Sequence, residues 1–289
     1  MEIPREAQLS IRPLTEDLLD ATDTVVMAAY HVTHSRKDRL RRYLDLQPGS
    51  SFVALLDETV AGFGAVMDYR RFAYVGLMSV RPDIQKRGIG AALLEQCLAW
   101  AHIRQCPSLL LDATPAGFPL YQRYGFVEED QTVVLQQTRP TVLPHHLPDT
   151  VAPLRMEEFS EVISFDTPAF GAERRAVLAA YCAGDPQRVL VARDVSGHMC
   201  GYLLAQAGVL GPWVARTVED AERLLMHALA LPFMNAPSVF VSAQHHYALE
   251  LLERSGFTQQ RRLSHMRKGQ PVQRSRQEML YGQTSLGLG

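Results

Sequence analysis

Apolar side chains recur along the first half of the chain with two different periods. A repeat of about 3.6 positions predicts amphipathic helices at residues 15–30, 36–46, 89–104 and 118–124. Alternating or continuous apolar runs predict strands at residues 8–12, 52–56, 60–69, 73–80 and 109–113, and then a hairpin-like pair at 126–129 and 132–137. This order of elements predicts a mixed α/β fold.

The second half of the chain repeats landmarks of the first. A Leu-Leu pair at 93–94 recurs at 224–225, and a Gly-Phe pair at 125–126 recurs at 256–257 with the same offset. Three prolines and a lack of periodicity mark the stretch between the halves as a linker. We therefore predict a first domain at 1–138, a proline-rich linker at 139–150 and a second, similar domain at 151–289.

Composition narrows the class of protein without naming a chemistry. The 289 residues carry a formal net charge of −2, which gives no overall field that favours nucleic acid or an anionic membrane. The four cysteines form no CxxC pair, which argues against a metal site or a disulfide framework. No apolar run reaches the ~18 residues of a membrane span, and the first residues lack a signal-peptide core. We expect a cytoplasmic protein with neither a nucleic-acid nor a membrane partner.

The loop after the predicted strand at 73–80 is the most informative stretch. Gln85, Gly88 and Gly90 form a Gln-x-x-Gly-x-Gly pattern that opens directly into a helix. Glycines let the backbone approach a ligand, and the unpaired N–H groups and dipole of a helix start favour an anion. Lys86 and Arg87 add positive charge. The pattern predicts a pyrophosphate site, although it lacks the glycine spacing of dinucleotide folds and the Gly-Lys-Ser/Thr ending of P-loops.

A second marker stands about 30 residues after the loop, where Tyr121, Gly125 and Phe126 occur in Leu-Tyr-Gln-Arg-Tyr-Gly-Phe. With both markers, residues 8–137 resemble the GNAT superfamily of N-acyltransferases, whose patterns are Gln/Arg-x-x-Gly-x-Gly/Ala and Leu/Phe-Tyr-x-x-x-Gly-Phe. The resemblance implies a GNAT fold for both domains. It also implies acetyl-CoA as the co-substrate, no metal, and direct transfer of an acetyl group to an amine.

The resemblance assigns roles to individual residues. Tyr121 matches the family's general-acid tyrosine, with a packed core aromatic as the alternative interpretation. Backbone groups of Met78, Ser79 and Val80 would place the thioester and polarise its carbonyl. The pyrophosphate would be held by Gln85, Lys86, Arg87, Gly88, Ile89, Gly90 and Ala91.

The sequence does not identify the general base. Many relatives carry a carboxylate on the strand before the loop, and this strand has none. The candidates on neighbouring elements are Asp68, Tyr74, His31, His34 and Asp112, of which Asp112 ends a buried strand and suits a structural role. A water relay, or an amine that arrives neutral, would serve as well.

The second domain has lost the loop. Four residues are missing between its strand and its helix, and the helix start carries no glycine but three acids, Glu219, Asp220 and Glu222. Acids at a helix start interact favourably with the dipole and repel a phosphate. Leu252 stands where the first domain has Tyr121. We predict a degenerate GNAT-like domain without acyl-CoA binding, which resembles the C-terminal domain fused to some bacterial GNAT enzymes.

Together these features predict an N-acetyltransferase that is active in its first domain. The acceptor is expected to be a primary amine of a small molecule, an amino acid or a peptide, and a homodimer stays open. The alternative is a non-catalytic protein that senses acyl-CoA or mediates interactions, since the base is missing and the second copy is degenerate.

Overall fold

The first part of the chain folds around a sheet, in a computed structural model that describes residues 8–289. Its strands are β1 (Leu9–Pro13), β2 (Ser51–Leu56), β3 (Thr59–Asp68), β4 (Ala73–Val80) and β5 (Ser108–Ala113). Successive strands from β1 to β4 pair antiparallel, and β4 pairs parallel with β5. Strands β2 and β3 are buried along nearly their whole length, as expected for strands covered on both faces.

This part of the chain has three helices: α1 (Leu19–Tyr30), α2 (Lys37–Leu46) and α3 (Ile89–Ile103). Helices α1 and α3 pack on the strands, and α2 packs against α1. Leu93, Leu94 and Cys97 of α3 have no exposed surface, so the helical spacing of apolar residues is confirmed. Helix α3 lies very close to the sheet at Gly62. A Cβ atom at that position would stand 2.9 Å from Leu93 Cδ1 and 2.8 Å from the carbonyl oxygen of Ser79. The glycine therefore sets how near the helix can come to the end of β4.

The chain divides into two compact units between Leu110 and Leu111, inside β5. The domain boundaries drawn from the sequence stay a prediction. The helices of the second unit are α4 (Phe118–Arg123), α5 (Phe159–Phe170), α6 (Arg175–Cys182), α7 (Val218–Leu229) and α8 (His246–Arg254). Its strands are β6 (Val127–Gln137), β7 (Val151–Pro153), β8 (Val189–Arg193), β9 (Met199–Ala205), β10 (Leu210–Ala215), β11 (Ser238–Ser242), β12 (Phe257–Gly269) and β13 (Leu280–Gly282).

Strand β6 corrects the prediction of a hairpin-like pair at 126–137. It is one continuous strand, and it lies between β11 on one edge and β12 on the other. Asp130 and Gln131, the residues between the two predicted strands, lie opposite His265 and Ser264 of β12. The prediction was wrong because these polar residues are held extended by partners more than a hundred positions away in the chain.

The rest of the second unit forms a sheet in the order β13-β10-β9-β8-β7. Its largest fully buried side chain is Trp213 of β10. Helices and strands alternate in both units, which confirms the mixed α/β class. None of the helices in residues 8–289 combines the length and the apolar character that crossing a membrane requires.

Candidate active site

Strand β4 carries a bulge just before its end. Its register with β3 shifts there, so that Leu77 and Met78 together face Gly64. Leu77 adopts a left-handed backbone conformation, with φ of 54°. A Cβ atom at Gly64 would lie 2.5 Å from the sulfur of Met78, so the absent side chain makes room for that methionine. Bulges of this kind re-aim backbone groups and side chains, and they are common beside functional sites.

The other edge of β4 is nearly unpaired within the first unit. Parallel pairing with β5 joins only Ala73 with Leu109 and Tyr74 with Leu110. Residues 75–80, which include the predicted thioester-binding residues Met78, Ser79 and Val80, have no further strand partner from this unit on that edge. Backbone groups that no strand uses can bind a ligand instead. The hydroxyl of Ser79 is also buried without a hydrogen-bond partner among the described residues.

The loop that follows β4 is braced by its own side chains. Arg81 Nε donates to Asp83 Oδ1 across 2.8 Å, and the side-chain amide of Gln85 donates to the carbonyl of Val80 across 3.1 Å. Ile84 is buried beneath the loop residues on either side of it. Gln85 therefore ties the loop back to the end of β4.

Two left-handed residues shape the exposed part of this loop. Lys86 has φ of 63° and Gly88 has φ of 82°, and both are exposed, as is Arg87 between them. A Cβ atom at Gly88 would meet nothing within 4 Å. Backbone conformation rather than space is thus the reason for a glycine at this position.

Helix α3 begins at this loop without a side-chain cap. Gly88 is its N-cap residue, and the first turn contains no acidic side chain. The first N–H groups of a helix have no partner inside the helix and lie at the positive end of its dipole. Ile89 is buried and anchors the turn, while Gly90 and Ala91 are small and partly exposed. The residues present therefore fit a pyrophosphate.

Several candidates for the general base have structural partners. The side chain of Asp68 is 7% exposed and pairs with Arg104 Nε across 2.9 Å. Together with burial, its carboxylate raises the pKa of the neighbouring Cys106 thiol to about 11. Tyr74 is fully buried, whereas His31 and His34 are exposed after α1. Asp68 thus serves to hold the end of β3.

Asp112 belongs to a buried cluster of the second unit. Its Oδ1 accepts a hydrogen bond from Thr132 Oγ1 across 2.6 Å and lies 3.0 Å from Nδ1 of His265. The side chain of Asp112 has no exposed surface, and that of His265 is 10% exposed. Sequence analysis gave Asp112 a structural role but missed His265, because nothing local to β12 distinguishes this histidine.

Tyr121 lies in α4 and is packed on all sides. Its ring meets the ring of Phe126 edge-on, with centroids 5.9 Å apart. A Cβ atom at Gly117 would stand 3.0 Å from Cε2 of Tyr121, so that glycine makes room for the ring. Gly125 ends the segment with φ of 82°, the left-handed conformation that favours glycine after a helix. This packing restricts the positions that the hydroxyl of Tyr121 can occupy.

The start of α7 in the second unit is capped by a side chain, whereas the start of α3 is not. The hydroxyl of Thr217 accepts a hydrogen bond from the backbone N–H of Asp220 across 3.2 Å. Glu219 and Asp220 stand in the first turn, and Asp220 also pairs with Arg223. A capped, acidic helix start neutralises its own dipole and repels an anion.

Strand β13 fills the space beside β10. Strands β10 and β11 approach each other through one isolated parallel bridge, between Val209 and Ser238. Beyond it β13 pairs antiparallel with β10, with Val214 opposite Leu280. A Cβ atom at Gly282 would stand 3.1 Å from the carbonyl oxygen of Leu210. A glycine at this position therefore lets β13 lie close to β10.

Tyr281 of β13 completes this packing. Its ring lies against Trp213, with centroids 5.2 Å apart. Burial is the main cause that raises the pKa of its phenol to about 12, and the nearby carboxylates of Glu219 and Asp220 contribute to the same rise. The phenol thus stands close to the acidic start of α7.

Comparison with known families accounts for both halves of the chain. Residues 18–139 and residues 162–282 each match a family model described as an acetyltransferase (GNAT) domain. The chain belongs to the GNAT acetyltransferase family. It is a tandem GNAT protein, and GNAT folds generally bind acyl-CoA.

Individual relatives agree with this membership. A putative acetyltransferase from Pyrococcus horikoshii is 27% identical, with a TM-score of 0.87 over 97% of this chain and 96% of its own. An uncharacterised N-acetyltransferase of Bacillus subtilis is 24% identical over 56% of this chain. A holothin acyltransferase of a Pseudoalteromonas species is 27% identical over 60% of this chain. The match spans 58% of the length of each of these two curated relatives.

Proposed function

We propose that this GNAT protein is an N-acetyltransferase whose first GNAT copy, residues 18–139, is active. It transfers an acetyl group from acetyl-CoA to a primary amine of a small molecule, an amino acid or a peptide. The observation that carries the proposal is the open start of α3, where left-handed Gly88 leaves the first N–H groups of the helix uncapped. The matching place in the second copy is capped and acidic.

The loop residues hold the pyrophosphate in this proposal. Lys86 and Arg87 contribute positive charge, and the backbone N–H groups from Gly88 to Ala91 donate hydrogen bonds. Gln85 acts by bracing the loop against Val80. Buried Ile89 keeps the first turn of α3 in register with the sheet.

The end of β4 acts on the acyl group. Acetyl-CoA supplies an acyl group activated as a thioester. Of the predicted residues Met78, Ser79 and Val80, Met78 lies in the bulge, and its backbone N–H donates to the carbonyl oxygen; such a donor is worth about 3 kcal/mol where charge develops. The bulge at Leu77 takes this N–H out of regular pairing with β3, whereas Ser79 and Val80 keep their register with that strand.

Two proton movements complete the transfer. The new C–N bond forms as the C–S bond breaks, so the nitrogen must lose a proton and the thiolate must gain one. Tyr121 donates to the departing sulfur; its phenol has an ordinary pKa near 10, against about 8.5 for a thiol, so geometry must assist it. Asp68 and Asp112 are held by structural partners. We therefore take the acceptor amine to bind in its neutral form and, after attack, to release its proton to a water molecule.

Strand β13 supports the proposal that the second GNAT copy, residues 162–282, is inactive. β13 occupies the space between β10 and β11, which corresponds to the open edge of β4 in the first copy. Leu252 replaces the tyrosine, as the repeat predicts.

Release of CoA across a panel of amines tests the proposal, with holothin included because one relative bears its name. We expect turnover by the wild type. We also expect lost acetyl-CoA binding in Gly90→Glu, and a fall in kcat of about 100-fold with binding retained in Tyr121→Phe. Gly197→Glu is the matched control, since Gly197 lies exposed in a turn of the second unit. Absence of acetyl-CoA binding to the wild type in calorimetry would overturn the proposal. Binding of acetyl-CoA without release of CoA in the presence of any amine would favour a sensor.

A further inference from the structure

The side chain of Tyr30 reaches from a helix to the bulge of β4. Its hydroxyl donates a hydrogen bond to the main-chain carbonyl of Met78 across 3.1 Å, between residues 48 positions apart. Tyr30 is the last residue of α1, and the chain turns at His31, whose φ is 52°. The phenol therefore links the end of one helix to the part of β4 that we expect to bind the thioester.

The hydrogen bond falls on a segment that its surroundings must hold in place. Leu77 is left-handed although it is not a glycine, a conformation that persists only where neighbouring structure over-determines it. The gap at Gly64 receives the sulfur of Met78 from one side. Tyr30 fixes the backbone of the same residue. The bulge is thus held through both the side chain and the carbonyl of Met78.

Peptide geometry carries this restraint to the N–H of Met78. A peptide unit is planar and trans, so the carbonyl of Met78 and the N–H of Ser79 lie in one plane and point in opposite directions. The register with β3 directs the N–H of Ser79 to that strand, so the carbonyl of Met78 faces the open edge. Fixing this carbonyl limits the rotation of the peptide unit before it, which carries the N–H of Met78.

We propose that Tyr30 is a positioning residue for acyl transfer. Its hydroxyl holds the Met78 carbonyl so that the N–H of Met78 keeps the direction in which it polarises the thioester. This inference rests on the proposed function of the first copy. Tyr30 makes and breaks no covalent bond in it.

Tyr30→Phe in the full-length protein tests the proposal, because it removes the hydroxyl and keeps the ring. We expect kcat to fall about tenfold, the value of one neutral hydrogen bond. The Kd of acetyl-CoA in calorimetry should change less than about twofold, since residues 85–91 are untouched. Tyr247→Phe is the matched control, because that tyrosine is 66% exposed in the second unit and should leave both quantities unchanged. Equal melting temperatures for the two variants would show that the fold is kept.

A spectroscopic measurement separates positioning from a general loss of activity. Difference infrared spectra of acetyl-CoA labelled with carbon-13 at the thioester carbonyl report the polarisation of that bond. We expect a lowered stretching frequency on the wild type and a return toward the free value on Tyr30→Phe. An unchanged frequency and an unchanged kcat in Tyr30→Phe would overturn the role of Tyr30 and leave the proposed function standing. Failure of the wild type to bind acetyl-CoA would overturn both.

Discussion

The backbone N–H of Gln283 donates to the carbonyl of Phe240 across 2.9 Å. On the opposite edge, the neighbouring Gly282 pairs with Trp213. The short strand β13 is therefore bonded to β10 and β11 at once. A pantetheine arm, which also carries amide groups, would compete for the same backbone atoms. In the second copy β13 already lies along the edge of β10. In the first copy the first unit supplies no such strand to the corresponding edge of β4.

This arrangement predicts one acyl-CoA site per chain. Titration of the full-length protein with acetyl-CoA in a calorimeter should give a stoichiometry of about one, because β13 and the capped start of α7 exclude the second copy. Gly90→Glu should bring the stoichiometry to zero. A value of two for the wild type, or a site that survives in Gly90→Glu, would contradict the prediction.

Gly88 and Gly49 form a matched pair for testing the loop. Both have positive φ, 82° and 77°, and a Cβ atom at either position would meet nothing within 4 Å. Each change to alanine should lower the free energy of unfolding by about 1 kcal/mol in denaturant titrations, because alanine resists the left-handed conformation. Only Gly88→Ala should weaken acetyl-CoA binding, by about tenfold. Equal affinities for the two variants would show that Gly88 does not shape the site.

A buried ion pair in the second unit should dominate its stability. The guanidinium of Arg174 has no exposed surface and donates from two nitrogens to the carboxylate of Asp166, each across 2.8 Å. Arg174→Met leaves that carboxylate buried without its countercharge, so we expect the free energy of unfolding to fall by about 3–5 kcal/mol. The exposed pair of Arg12 with Glu58 is the control, and Arg12→Met should cost less than about 1 kcal/mol. Similar losses for the two variants, measured by urea unfolding, would contradict the argument.

The four thiols predict a loss of stability at alkaline pH. Burial raises the pKa of Cys97 to about 12 and is the main cause that raises those of Cys106, Cys182 and Cys200 to about 11. An unfolded thiol ionises near pH 8.5. Above that pH the unfolded chain releases protons that the folded chain retains, so stability is full below about pH 8.5 and falls as pH rises toward 11.

Urea midpoints measured from about pH 7.5 to 10.5 check this direction. Alkylation provides a second check, because thiols that stay protonated react slowly. Iodoacetamide at about pH 7.5 should modify the native protein slowly and the unfolded protein at all four cysteines. Fast modification of the native protein would contradict the burial argument.

Sequence analysis succeeded where an interaction joins residues that are close together in the chain. The loop at Gln85 and the left-handed Gly125 depend on neighbours within a few residues, so spacing alone located them. The partner of Asp112 could not be found in this way, because His265 stands 153 positions further along. The continuous β6 was missed for the same reason, since Asp130 is a turn residue by composition and a strand residue by pairing.

The sequence by itself determined the family pattern, the tandem repeat, the anion-binding start of α3 and the closed start of α7. These rest on helix dipoles, caps and glycine conformations, which act within one or two turns of chain. Only the tertiary structure decided the hold of Tyr30 on Met78, the insertion of β6 between β11 and β12, and the filling of the second copy by β13. Each depends on hydrogen bonds between segments far apart in the chain, whose meeting is set by the packing of the whole unit.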